Sequence, residues 1–180
     1  MPDIIACICE GSAERAILER LLEWGCLVFT RDDLLDRQLL DGIYRSPRNF
    51  ERDYLSKYFD GSKIKIYRII DSLKEGTEYK LSKEYIPLLN LVNAITNPEI
   101  EMIYIISEGY FNEFNQKYKG GKNKLKPSEY VREIMRVKNV KKFDFIYNYF
   151  DEKDKLISAL KTYAKGKTNT IYDLVKECCK

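Results

Sequence analysis

Asp3-Ile4-Ile5-Ala6-Cys7-Ile8-Cys9-Glu10-Gly11-Ser12-Ala13-Glu14, close to the start of the chain, is the stretch whose reading decides the fold. Residues 3 to 9 form a nearly continuous apolar run of strand length, the pattern of a strand buried on both faces and so of a parallel sheet. Glu10 and Gly11 then make a tight turn, and Ser12 suits an N-cap. Ala13 to Trp24 sets Ala16, Ile17, Leu21 and Trp24 on one helical face. Strand, turn and helix in that order predict an α/β fold with a mainly parallel sheet flanked by helices.

Downstream, Cys26 to Thr30 reads as a second buried strand and 32 to 40 as the start of an amphipathic helix. A further helix is expected over 47 to 59. Lys63 to Ile70 gives another strand, alternating at first and wholly apolar at its end, and it stops at Asp71. The first 75 residues therefore read β-α-β-α-β. Lys83 to Ile95 carries Tyr85, Leu88, Leu89, Val92 and Ile95 at helical spacing, and 99 to 114 is expected to be helical by its length. The C-terminal third reads as helices over 127 to 137, 144 to 150 and 153 to 164. The expected division is an α/β domain over 1 to 135, with a helical extension over 136 to 180 packed on it.

Composition narrows the chemistry. The 180 residues are 44% hydrophobic and 33% charged, enough apolar material for a core and too much to leave the chain unfolded. There is no histidine, which excludes Ser-His-Asp and Cys-His catalysis, His-based metal sites and imidazole pH switching. Acids, bases and ligands must come from Asp, Glu, Lys, Tyr or Cys. The five cysteines lack a framework spacing and read as free thiols in a reducing compartment, Cys7 and Cys9 being packed on one strand face. With neither a signal-peptide pattern nor a long apolar window, the expected location is the cytoplasm and no membrane contact is expected.

Net charge is +3 but unevenly spread. Residues 1 to 60 hold 8 basic and 12 acidic side chains, whereas 115 to 142 hold ten basic against two acidic. The latter segment includes Lys117, Lys119, Lys122, Lys124, Lys126, Arg132 and Arg136, interleaved with Tyr118, Gly120 and Gly121. Such a stretch suits contact with nucleic-acid phosphates, with Tyr118 and Tyr130 available to stack on bases.

In parallel α/β sheets, sites form at the carboxyl ends of strands. Glu10 and Asp71 each follow a strand directly, so both carboxylates are expected at one sheet edge, with Glu14 overhanging them one helical turn on. Clustered carboxylates suit Mg²⁺ or Mn²⁺, and these ions point to phosphate chemistry.

The strand followed by Glu10-Gly11-Ser12-Ala13-Glu14 resembles the strand-EGxxE start of the TOPRIM fold, and Ile69-Ile70-Asp71-Ser72 falls where that Rossmann-like fold carries its acidic DxD strand end. Thr96-Asn97-Pro98-Glu99-Ile100-Glu101, with the apolar residues after it, is similar to the SNPxFExWLLLH stretch of the RloB-like abortive-infection proteins, small TOPRIM proteins of phage-defence loci. The resemblance spans about residues 3 to 135. It implies a magnesium- or manganese-dependent nuclease in which Glu10 and Asp71 hold the metal and Glu10 serves as base. Glu14, Glu75 or Glu101 would assist through water. It also implies nucleic acid, DNA or RNA, as a partner, together with an ATPase or another defence protein. Leu73 occupies the second DxD position, leaving Glu75 as the nearest acid, and Ser107 stands where the family has histidine. These departures keep a second reading open, that of a non-catalytic nucleic-acid- or protein-binding module with an eroded site. A third, a nucleotide-binding doubly wound domain, lacks GxGxxG and GxxxxGK[ST]. The aromatic residues of 138 to 180 are expected to cover the sheet or to form a self-association surface.

Overall fold

β1 runs from Ile4 to Cys9 and α1 from Ser12 to Glu23. The computed structural model describes residues 4–56, 63–71 and 79–180. β2 (Ile64–Ile70) lies parallel to β1, and β3 (Leu89–Ile95) parallel to β2, in the order β1-β2-β3. The register pairs Cys7 with Tyr67 and Tyr67 with Val92. A three-stranded parallel sheet with helices against it is thus the frame, as the apolar runs of β1 and β2 led us to expect.

A parallel sheet must be covered on both faces, because its strands are apolar on both. One face meets α1, α3 (Met102–Ser107), α5 (Pro127–Glu133), α6 (Phe143–Tyr149) and α7 (Lys153–Ala164). Cys7, Cys9, Ala16, Ile17, Leu21, Ile103, Phe150, Leu156 and Leu160 share one buried cluster there. The smaller cluster on the other face joins Ala6, Ile8, Ile66, Phe50, Tyr54 and Tyr79. Phe50 belongs to α2 (Pro47–Phe50), which continues as one wider turn over Glu51–Leu55. The cysteines are free, and Cys7, Cys9 and Cys26 are buried, so they do pack as small hydrophobes.

Four expectations are corrected. Residues 26 to 30 form no strand: only Leu27 bridges Val175, antiparallel, and Phe29 stacks on Tyr67 at 5.3 Å between ring centroids. The free edge of β1 is occupied by the segment expected to be helical. Leu40 donates its amide to the Cys7 carbonyl at 2.8 Å and accepts from the Cys9 amide at 2.9 Å. That segment makes 3₁₀ turns instead of a helix because Asp36 and Arg37 take left-handed backbone angles, φ 52° and 55°. The stretch 83 to 95, expected to be a helix, is a turn, a 3₁₀ turn over Ile86–Leu88 that contains Pro87, and then the strand β3. Leu89 and Leu91 pack on one face and Val92 and Ala94 on the other, so burial on both sides imitates a helical repeat.

The expected helix over 99 to 114 is two helices. Gly109, at φ 80°, ends α3 and α4 follows as Phe111–Lys117. α6 lies on α1, with the Arg20 guanidinium 3.6 Å from the Tyr147 ring centroid, and α7 lies on α3. No helix among the described residues is long and apolar enough to cross a membrane.

Candidate functional site

At the carboxyl ends of β1 and β2 a cavity of about 310 Å³ is lined by Glu10, Glu14, Asp71, Glu99, Glu101 and Lys141. Four carboxylates singled out by the sequence, Glu10, Glu14, Asp71 and Glu101, are therefore brought together from positions up to 91 residues apart. Glu75 lies outside the described residues. No group of three or more Asp, Glu or Cys side chains among the described residues is already arranged around a point where an ion could sit.

The turn after β1 is built for this. The Glu10 amide donates to the Ile69 carbonyl at 3.1 Å, locking the end of β1 to β2, and Glu10 Oε2 accepts from the Asp71 amide at 3.2 Å. Glu10 Oε1 accepts from Arg45 Nη1 at 3.1 Å. Gly11 has an ordinary extended φ of −119°, so left-handed strain is not its purpose. Space is: a Cβ there would lie 2.3 Å from Glu14 Oε2. Gly42 does the same on the far side, where a Cβ would come within 2.8 Å of the Glu10 carbonyl oxygen.

Glu14 is only 8% exposed, and the Thr96 hydroxyl lies 3.3 Å from its Oε1. Burial pushes the Glu14 carboxyl above its usual range, and the charges of Glu10 and Asp71 add to the push. Glu101, 4% exposed at the start of α3, is driven by burial up to about 7 despite a hydrogen bond from its own backbone and the charge of Lys141, with Glu14 and Glu99 pushing further. Glu99 behaves oppositely. Burial would raise its carboxyl, but the Ser128 amide at 3.0 Å and Lys141 Nζ at 3.3 Å outweigh that and hold it low. Burial thus shifts the Glu14 and Glu101 carboxyls upward beside a Glu99 carboxyl that is held low, a divergence of the kind on which proton-transfer sites depend.

Several residues at the site escaped the sequence reading. Lys141 lies in the basic run of 115 to 142, and Thr96 and Glu99 in the 96 to 101 motif, with nothing in either pattern to mark them as site residues. Arg45 and Arg68 were missed. Arg68 sits in the otherwise apolar end of β2, 5% exposed, its guanidinium 4.9 Å from the Tyr79 ring centroid. Its Nε and Nη1 have no hydrogen-bond partner among the described residues. Burial lowers its pKa, opposed by Tyr79 and Glu10. With Arg45, Ser46 and Glu10 it lines a recess of about 300 Å³, so Glu10 divides an acidic cavity from a basic one. The signal for Arg68 was available: an arginine inside a buried strand needs a reason.

The basic residues do not share one surface role. Lys117 is paired with Glu113 at 3.2 Å and Arg132 with Glu133 at 2.6 Å, while Lys122 and Arg136 are exposed. Lys119, Lys124 and Lys126 line a separate cavity beside α4 and the end of α7. Tyr118 and Tyr130 are packed on each other, centroids 5.0 Å apart, and Tyr130 is fully buried, so it is not a stacking platform. Comparison with protein-family models, with curated proteins and with solved structures finds no match to this chain.

Proposed function

We propose that the chain is a TOPRIM-like, Mg²⁺- or Mn²⁺-dependent phosphodiester-cleaving protein, a nuclease or nuclease-derived component of a bacterial anti-phage defence system acting in the cytoplasm. The observation that carries the reading is the convergence of Glu10, Glu14, Asp71 and Glu101 on one cavity at the carboxyl ends of two parallel strands. The donor set fits a hard divalent cation, since it offers only oxygen, and the two buried carboxyls lack a full complement of positive charge. Glu10 and Asp71 would hold the ion, with Glu14, Glu101 and Glu75 assisting. When bound, such an ion polarises a phosphodiester and lowers the pKa of water.

The chain's own residues supply the rest. Glu10, fixed by Arg45 and by the Asp71 amide, would accept a proton from the attacking water. Lys141, whose pKa is lifted by Glu101 and Glu99 over the opposing effect of burial, lines the same cavity and can neutralise or protonate the leaving oxygen. Arg45 and Arg68, on the other side of Glu10, suit the neighbouring phosphate of a strand. Of the basic residues from Lys117 to Arg136, the exposed Lys122 and Arg136 would extend that contact along the backbone, while Lys119, Lys124 and Lys126 face a separate cavity. A partner ATPase or other defence protein, and self-association through the C-terminal helices, belong to the same proposal.

The test is calorimetric titration of Mn²⁺ and Mg²⁺ into the wild type and Asp71→Ala, with cleavage of single- and double-stranded DNA and RNA followed on the same samples. Metal binding that Asp71→Ala abolishes, with metal-dependent cleavage, is the expected result. Absence of metal binding by the wild type would end the catalytic reading. The second reading, a binding module with an eroded site, draws support from the charges already spent: Arg45 pairs with Glu10 and Lys141 with Glu99. On that reading wild type binds nucleic acid, cleaves none, and Glu10→Gln leaves binding unchanged.

A further inference from the structure

The cavity beside α4 encloses about 540 Å³, within the range of roughly 300–1,000 Å³ usual for small-molecule sites. Its walls are apolar and in part aromatic, with Pro98, Met102, Phe111, Phe114, Leu125 and Pro127 contributing. Lysines from two distant stretches line it as well: Lys119, Lys124 and Lys126 ahead of α5, and Lys165 and Lys167 just past α7. None of these five is in a salt bridge among the described residues. Lys167 is the most committed. It is half-buried, with its Nζ 3.4 Å from the Tyr163 ring centroid. Burial and the charge of Lys119 hold its pKa down at about 8.

Uncompensated cations around an apolar chamber call for a ligand that is both strongly anionic and apolar. A fatty acyl chain would want an unbroken apolar lining, but Asn97, Asn115 and Thr162 interrupt this one with amide and hydroxyl groups. Asn115 Nδ2 donates to the Phe111 carbonyl at 3.0 Å, which leaves its Oδ1 to accept from a ligand. A flat heterocycle with polar edges, joined to phosphate, meets all three demands.

We propose that this cavity binds a nucleoside phosphate, with the base between Phe111 and Pro98 and the phosphate on Lys119, Lys165 and Lys167. The source is a free nucleotide or the terminal nucleotide of a strand. The inference stands on the lining of this cavity and does not rest on the acidic site. The segment 97 to 102 separates the two cavities, Pro98 and Met102 facing one and Glu99 and Glu101 the other.

The test is isothermal titration of the full chain with AMP, ATP, adenosine, tripolyphosphate and a 5′-phosphorylated pentanucleotide. AMP and ATP are expected to bind, adenosine to bind about tenfold or more weakly than AMP, and tripolyphosphate to bind about tenfold or more weakly than ATP. Lys167→Ala and Phe111→Ala should each lose about tenfold, with circular dichroism confirming that both fold, whereas Asp71→Ala should bind as wild type. Affinity for AMP should fall as pH rises through about 8, as Lys167 loses its proton among Lys119, Lys124, Lys126, Lys165 and Tyr163, and Lys167→Arg should bind without that decline. Tighter binding of the pentanucleotide than of AMP, with the excess lost in Phe111→Ala and kept in Asp71→Ala, identifies a strand end as the source, and the reverse a free nucleotide. No binding by any phosphate-bearing nucleotide, or tripolyphosphate binding as well as ATP, or adenosine as well as AMP, overturns the proposal. Loss of metal binding alone leaves it standing.

Discussion

At the scale of single residues, Gly11 and Gly42 flank Glu10 and both leave room, but for different neighbours. A methyl at 42 would press on the Glu10 carbonyl oxygen at 2.8 Å, and backbone held in a strand end cannot move away cheaply. Gly42→Ala should therefore destabilise the fold by about 1–3 kcal/mol, seen as a lower urea midpoint. A methyl at 11 instead meets the carboxylate of Glu14, the far end of a side chain, which can swing aside. Gly11→Ala should leave the urea midpoint nearly unchanged while weakening any divalent-ion binding in calorimetry. Equal loss of stability in both variants would contradict this assignment. The Gly11 position was legible as a turn; its role as room for Glu14 was not, because that depends on the rotamer of a buried carboxylate three residues on.

Among the elements, the α1–α6 contact turns on Arg20. Its guanidinium stacks on Tyr147 at 3.6 Å, its Nε donates to the Tyr147 carbonyl at 2.8 Å and its Nη1 reaches Glu23 at 3.3 Å. The Tyr147 hydroxyl closes the loop by donating to Glu23 at 2.6 Å. Lysine cannot stack and fork at once, so Arg20→Lys should cost roughly 1–2 kcal/mol in chemical denaturation. A variant with unchanged stability would show that the stacked geometry contributes little. α1 and α7 were legible element by element, since an amphipathic helix declares its buried face through a repeat of three to four residues. β3 was not. A strand that packs apolar side chains on both faces has no period-two signature, and its leucines and valine fell by chance on a helical repeat. Residues 26 to 30 failed in the other direction: apolar enough for a strand, they found the edge of β1 taken by 34 to 40 and are left with the single Leu27–Val175 bridge among the described residues.

For the whole molecule, the concentration of carboxylates at one sheet edge has a stability consequence. An unfolded glutamate loses its proton near 4.5, whereas Glu101 keeps its own to about 7, facing Glu14 and Glu99 with Lys141 as the nearby cation. Between those values the folded state holds the extra proton, so stability falls as pH rises from 4.5 to 7, and the full cost stands above 7. Glu101→Gln should remove it. Thermal melts in EDTA should find this variant more stable than wild type at pH 8, by up to about 3 kcal/mol, with the two converging near pH 4. A variant no more stable at pH 8 would mean that Glu101 is better solvated than its burial implies. By itself the sequence determined the local events: a buried strand ending at Glu10, a helix started by the turn after it, a second strand ending at Asp71, and the exclusion of histidine chemistry. Only the tertiary structure decided that Lys141 joins the carboxylates, that Arg68 lies buried beside Glu10, and that Lys119 meets Lys167 across an apolar cavity. The reason is physical. Backbone propensity and periodicity act over a few neighbouring residues, whereas the company a side chain keeps depends on which strands pair and which helices cover them, and those contacts span most of the chain.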